Sequence, residues 1–220
     1  MPSPLDVSVE IRDYPGAAVS LSECGVALWP HQTELVSIAT ESHQELAEAI
    51  EACRGFVVVP AVNPAAGDEV GDLHCLARVT MKCSSGGRLV LVVRGLCRAE
   101  ISNRFSLPAG RELLSVRLRP DVEPAEATIH RENRHRELLE TAATLIPGPL
   151  PIVVSSFLID RVPLGPLCDL LAGSAGEATS EFGDSNVDTR SDAVLAGLRR
   201  RSRLSRSVAP LGTTPLFSEN

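Results

Sequence analysis

The hydrophobic pattern of the first half of the chain changes period several times, and each change marks an element. Residues 1–18 read as an irregular lead-in, in which Val7-Ser8-Val9-Glu10-Ile11 alternates as a short edge strand would and Pro15-Gly16 marks a turn. Val19 to Leu28 is strand material interrupted at Cys24-Gly25, and Trp29-Pro30 closes it because proline has no N–H to give a ladder. Leu35 to Ile38 predicts a second strand. Leu46, Ala49, Ile50 and Cys53 then recur at i, i+3, i+4 and i+7, which predicts a helix with one apolar stripe. Ser42 and Glu45 fit a capping box ahead of it, and Gly55 stands where a terminating glycine belongs. Phe56 to Val59 is a short unbroken apolar run, the mark of a strand buried on both faces.

After a Pro, Gly and acid-rich loop over 63–71, the pattern predicts a long hairpin. Its arms are Leu73–Lys82 and Arg88–Arg94, and Ser84-Ser85-Gly86-Gly87 supplies the positive φ angles of the turn. Leu96 to Ile101 and Leu114 to Leu118 predict two further strands. In the last, Leu114, Val116 and Leu118 face inward while Ser115, Arg117 and Arg119 face out. The second half is helical in pattern. Pro124 opens a helix that passes through the charged stretch His130–Glu137 to Ile146 and stops at Pro147-Gly148-Pro149. A short helix is predicted around Val153–Leu158, and another from Pro163 to Ala172, capped by Asp160, with Leu164, Leu167, Cys168 and Leu171 on one stripe. From Gly173 to Arg190 the chain turns small and polar, the composition of a disordered linker. Asp192–Leu204 predicts a short basic amphipathic helix, and Val208–Asn220 an unstructured end. Strands first and helices last give an α+β domain of a small curled sheet with one inserted helix. The organisation is a lead-in over 1–18, a β-rich lobe over 19–123, a helical lobe over 124–172, and a largely disordered polar linker and basic tail over 173–220.

Composition narrows the function classes. The chain has 220 residues, enough for one domain with a tail, and only 3% are aromatic, so the core must be aliphatic. Six cysteines with no CxxC pair and no export signal predict free thiols in a cytoplasmic protein. The net charge is −7; the stretch 198–220 holds five arginines against one glutamate, a local +4 that leaves −11 on the rest. A body so acidic repels nucleic acid at long range. No apolar run reaches the roughly 20 residues that a membrane span needs.

No catalytic constellation is legible. The single lysine, Lys82, lies in Met81-Lys82-Cys83 with no phosphate-binding GxxxxGK[ST] loop around it, and it reads as a solvated charge at a strand end. No G-x-S-x-G nucleophile elbow and no dinucleotide fingerprint occur. His31, His43, His74, His130 and His135 are scattered, and His130 and His135 are five apart, out of step with a helical metal pair. Cys75 and Cys83 beside His74 could hold a metal, but small buried apolar roles fit them better; no cofactor and no metal are implied. Three residues carry the binding candidates. Trp29, the only tryptophan, reads either as an exposed platform for an apolar peptide side chain or as core packing at a strand end. Arg94 and Arg98 read either as cations at a groove edge or as outward strand residues. The basic segment Leu198–Arg206 reads as a solvated end or as a dock for an acidic partner.

The ordered elements resemble the Lon protease N-terminal, or substrate-binding, domain over roughly 19–172. Val26-Ala27-Leu28-Trp29-Pro30 followed by Leu35-Val36-Ser37-Ile38 is similar to that family's opening, Ser42–Cys53 to its first helix, and Phe56–Val59 to the next strand. Cys75-Leu76-Ala77-Arg78-Val79 resembles its small-apolar-Ala-Arg segment. The run from Leu89 to Ile101, with Gly95-Leu96-Cys97-Arg98-Ala99-Glu100-Ile101 at its end, is the strongest match, and Ile159-Asp160 and Leu167–Ala172 look like its late helical segment. His74 departs from the family's glycine, and the loop from Asn103 to Arg111 and the helical part have no close match in that family. The resemblance implies a PUA-like β pseudobarrel lobe joined to a helical lobe. It also implies a recognition role toward unfolded or tagged polypeptides without the family's ATPase and Ser-Lys peptidase parts, and leaves a separate protease or chaperone as a working partner. A module of this kind would take extended segments along a sheet edge or in the cleft between lobes. The alternative is an RNA-binding module, since PUA-like folds also serve RNA; it would need a basic face on 19–172.

Overall fold

The computed structural model describes residues 8–39, 43–61, 73–85, 88–107, 111–122, 128–145, 162–172 and 184–207. The expected loop 63–71, the tight turn at 86–87, the Ser42 and Asp160 caps, the Pro124 and Pro147–Pro149 helix ends and the helix at 153–158 lie outside them.

Six strands form one mixed sheet: β1 (Ala18–Ser20), β2 (Thr33–Ala39), β3 (Phe56–Pro60), β4 (Leu73–Ser85), β5 (Arg88–Ser106) and β6 (Glu112–Arg119). Their order is β2-β5-β4-β3-β1-β6, and β5 also pairs β6. Five strands therefore close a ring, β5-β4-β3-β1-β6 and back to β5, with β2 attached outside it. Only β1 and β3 run parallel. Three strands carry the predicted pattern. All five residues of β3 are buried, with Val57 and Val59 on one face and Phe56 and Val58 on the other. In β6, Leu114 and Val116 are buried, and β2 begins and ends close to the expected limits.

β5 is one strand where two were expected, and the difference matters. Ala77 pairs Gly95 and Leu76 pairs Cys97, so Leu96 is an extra residue on β5. Such a bulge bends the strand and exchanges its faces. Before it, Leu89, Leu91 and Val93 pack with Leu46 and Ile50 of helix α2 (His43–Ala52) and with Cys53 just after it. Beyond it, Cys97, Ala99 and Ile101 turn to the opposite core, inside the ring with Phe56, Val58, Leu76 and Val116. The edge strand expected over Val7–Ile11 is not there: Ser8–Arg12 form helix α1. The alternation there was too short to decide. Ile11 of α1 and the following Tyr14 plug the ring core, where the Tyr14 and Phe56 rings meet edge to face at 5.4 Å.

Among the described residues the second lobe holds three helices: α3 (Thr128–Ala143), α4 (Leu164–Ala172) and α5 (Val187–Ser207). The largest departure from expectation is α5. The short basic helix expected over Asp192–Leu204 is present but longer, Val187–Ser207, so that it begins inside the expected linker, and Val187, Val194, Leu195 and Leu198 lie in the core rather than on a mobile tail. Asn186 caps it, its Oδ1 accepting from the amides of Asp188 at 2.9 Å and Thr189 at 3.4 Å. The charged face of α3 is a ladder to α5. Arg131 pairs Asp188 at 3.0 Å, Arg134 pairs Asp192, and Glu137 pairs Arg199. Partners advance together along both helices, so α3 and α5 run in the same direction, and α4 contacts both. Of the predicted α4 stripe, Leu164, Leu167 and Cys168 are buried and Leu171 is half-buried.

Candidate functional site

The two lobes meet on a buried ion cluster. Arg98, 2% exposed, projects from β5 toward the helices because the Leu96 bulge has turned it away from the face that carries Arg94. In an unbroken strand residues four apart share a face; here they do not. Arg98 makes a bidentate contact with Asp169 of α4, one arm at 3.1 Å, and reaches Asp121 at 3.2 Å. Arg190 of α5 completes the group, 2.7 Å from Asp121 and 3.3 Å from Asp169. Two guanidinium groups and two carboxylates thus neutralise one another, with Arg98, Arg190 and Asp169 shut from water and Asp121 at the partly exposed rim. Burial alone would lower the Arg98 pKa, yet the charge of Asp169 and its hydrogen bond, with Asp121 behind it, hold it above the usual guanidinium value. Gly165 makes room for the cluster, since a Cβ there would overlap the Asp121 carboxylate and press on Arg190.

The loop before β2 clips the lobes together. Trp29 is 5% exposed and sits in the helical core with Leu138, Leu167 and Leu195. The His31 amide donates to the Gly95 carbonyl at 3.0 Å, the Gly95 amide to the Gln32 carbonyl at 2.9 Å, and Gln32 Nε2 to the Asp169 carbonyl at 2.8 Å. A Cβ at position 95 would overlap the Trp29 carbonyl oxygen and stand 3.0 Å from Cys75 Sγ. Gly95→Ala is therefore expected to cost about 1–3 kcal/mol, toward the upper end because the obstacle is backbone. Urea unfolding of the variant measures it.

His31 faces this cluster with a left-handed backbone, φ 65°, and a buried Nδ1 that has no hydrogen-bond partner among the described residues. Burial pushes its pKa down to about 4; Asp121 opposes this, and Arg94, Arg98 and Arg190 reinforce it. An unfolded histidine titrates near ~6.5. As the pH falls, the unfolded chain takes up this proton first, so the stability carried by neutral His31 is full above about pH 6.5 and is lost toward pH 4. His31→Asn, which tolerates the same backbone region, is expected to flatten that part of the pH–Tm curve.

A second feature lies on the outward face of the three-stranded segment β2-β5-β4. Leu35, Val92 and Met81 form a row across it, and Ser37, Val90 and Cys83 the next row. Leu35 is 64% and Met81 65% exposed, and Val90 and Val92 are half-buried. Arg78 and Arg94 border one end, where Glu10 of α1 lies 3.9 Å from Arg78 and 3.1 Å from Arg94. Arg88 borders the other end, bonded to Ser37 Oγ at 2.8 Å. Lys82 projects to the opposite face and pairs Glu51 of α2, as a solvated strand-end charge would.

Known structures match this arrangement. The N-terminal domain of Lon protease from the Mycobacterium avium complex superposes with a TM-score of 0.62, covering 83% of this chain and 98% of that one at 18% identity. The Lon N-terminal domain protein of Xanthomonas campestris superposes at 0.57, covering 82% and 97% at 14% identity. The fold is that of a Lon N-terminal domain. No protein-family model matches the chain, and no curated protein matches it by sequence.

Within the Lon N-terminal fold, the three candidate binding residues separate. Trp29 and Arg98 are not offered to a ligand: one fills the helical core, the other neutralises two carboxylates. Trp29 had read as a platform or as core packing, and the packing reading describes its place. Arg98 had read as a groove-edge cation or an outward strand residue, and it is neither. Arg94 alone lies at an accessible face, half-buried and paired with Glu10. The cleft between lobes, one of two expected docking places, is filled at this point by the cluster and the Trp29 loop. Cys75 and Cys83 lie on opposite faces of β4, so they cannot share a metal. No group of three His, Cys, Asp or Glu suited to one occurs among the described residues. Burial raises the thiols of Cys75, Cys97 and Cys168, the last two to about 12, which holds them protonated at neutral pH. No described helix is long and apolar enough to cross a membrane. The sequence did not reveal Asp121, Asp169 and Arg190 as cluster members. Only Asp169 lay in a predicted helix, beside its apolar stripe; Asp121 fell between predicted elements and Arg190 at the end of the expected linker.

Proposed function

We propose that this chain is a polypeptide-recognition module that breaks no bond, built on a PUA-like β lobe and acting in the cytoplasm beside a separate protease or chaperone. The observation that carries this reading is the exposed Leu35–Val92–Met81 row. It is an apolar strip on a regular sheet face, flanked by arginines, beside a lobe junction that is packed shut. Strips of this kind are covered by something apolar. The likeness to Lon N-terminal domains supports a polypeptide as the occupant, and the closed strand ring supports the PUA-like reading of the lobe.

The test is binding of a permanently unfolded protein, such as reduced and carboxymethylated α-lactalbumin, to the full chain. Binding is expected, and Leu35→Lys combined with Met81→Lys should weaken it roughly tenfold or more, the loss of about 1.4 kcal/mol from two exposed apolar anchors. Binding that ignores the double variant, or ATP hydrolysis or peptide cleavage by the chain alone, would refute the proposal. So would RNA binding that falls steeply with salt while unfolded protein is ignored.

A further inference from the structure

We infer that β2 receives an extended polypeptide segment as an added strand, with apolar side chains beside Leu35 and an acidic side chain reaching Arg88. This rests on the recognition reading above and goes further by naming how the segment is held and what it must contain. The first observation is the edge itself. Among the described residues β2 pairs β5 alone, through seven consecutive residue pairs from Thr33↔Arg94 to Ala39↔Arg88 without a register shift. Alternate residues of β2 therefore turn their N–H and C=O groups away from the sheet. Proteins ordinarily blunt such an edge with a proline, a bulge, an inward charge or a very short strand. β2 is not very short and has neither a proline nor a bulge, and its one charge on the core-facing side, Glu34, stands exposed near the start of the strand rather than at its middle. Bulges occur in this sheet, but in the β4–β5 and β5–β6 pairings.

The second observation is what flanks the edge. A strand laid beside β2 places every second side chain on the outward face, next to Leu35 and Ser37. There the apolar row of Leu35, Val92 and Met81 is ready to be covered. Charge on that face runs against the rest of the protein. Three arginines, Arg78, Arg88 and Arg94, border that face, the first and last of them paired with Glu10, on a chain whose net charge is −7. Arg88 is exposed and lies over β2, held by Ser37 Oγ and, at 3.3 Å, by the Ser37 carbonyl, and no carboxylate among the described residues pairs with it. The matching occupant is a segment of alternating apolar and small polar residues with an acidic residue at its Arg88 end. Backbone pairing would supply affinity, and the row and Arg88 the selectivity.

The experiment uses the full chain and a fluorescein-labelled synthetic peptide as long as β2, alternating valine and threonine with aspartate at each end, read by fluorescence anisotropy. Two N-methylated versions block the two alternate sets of peptide N–H groups. One set should weaken binding about tenfold or more and the other should have little effect, because an added strand turns only one set toward β2. Lysine in place of the end aspartates should weaken binding roughly tenfold, and Arg88→Glu should reverse that order. Equal affinity of both methylated peptides, with binding still lost in Leu35→Lys, overturns strand addition while leaving polypeptide recognition standing. Failure of every peptide and of unfolded protein overturns both. A chain dimer that Leu35→Lys dissociates and the peptide does not compete with gives the edge to a second copy, and also overturns the inference.

Discussion

Deleting residues 187–220 is expected to unfold the helical lobe rather than trim a tail. The deletion removes Val187, Val194, Leu195 and Leu198, all at most 1% exposed. At about 1.5–3 kcal/mol for each fully buried aliphatic side chain, the loss is on the order of 6–12 kcal/mol. A domain of this size holds only about 5–15 kcal/mol in total. The deletion also takes away Arg190, leaving Arg98 to face the Asp121 and Asp169 carboxylates alone. Trp29 reports on the outcome because it is the only tryptophan and lies in the helical core. Its emission should shift to the red toward that of a solvated indole, and α3 and α4 should lose their circular-dichroism signal along with α5. Unchanged tryptophan emission would show that α5 is dispensable to the core.

Asp169→Asn should destabilise the chain by about 3–5 kcal/mol, the cost of leaving two buried guanidinium groups with a single counter-charge, the partly exposed Asp121. Asp169 is 1% exposed and touches both Arg98 and Arg190, so no other described carboxylate can replace it from that side. Replacing Arg98 and Asp169 together by Met and Leu should cost much less than the sum of the single changes, because the buried charges leave as a pair. Urea midpoints of the two single variants and the double variant measure this. Additive losses would mean that the bidentate contact does not form in solution.

How legible the chain was depends on what each residue must satisfy. β3 and α2 could be read directly, because a run of Val and Phe has few other uses and the Leu46–Cys53 stripe has one period. The fate of β5 could not. A bulge is one residue in excess, visible only when the partner strand is known, and it alone decides that Arg94 lies at an accessible face and Arg98 does not. Helix α5 was half legible. Its apolar stripe runs 187, 190, 191, 194, 195, 198, but positions 190 and 191 are Arg and Ser, both buried. The stripe therefore seemed to begin only near Val194, and the preceding turn read as polar linker. The arginine is there because it completes the ion cluster, so the feature that hid the helix is the one that fixes the lobes. The strip on the outward sheet face was concealed differently. Val90 and Val92 alternate with Leu89, Leu91 and Val93, so this arm of β5 is apolar on both faces, yet among the described residues only the Leu89–Val93 side is fully covered.

Hydrogen exchange of the chain with and without bound unfolded α-lactalbumin addresses the central claim most directly. Slowed exchange in β2, from Thr33 to Ala39, with the neighbouring Arg88–Arg94 arm following and the helical lobe unchanged, is the predicted result. Protection confined to α3–α5, or protection at Trp29 and Arg98 as the lobes part, would contradict it.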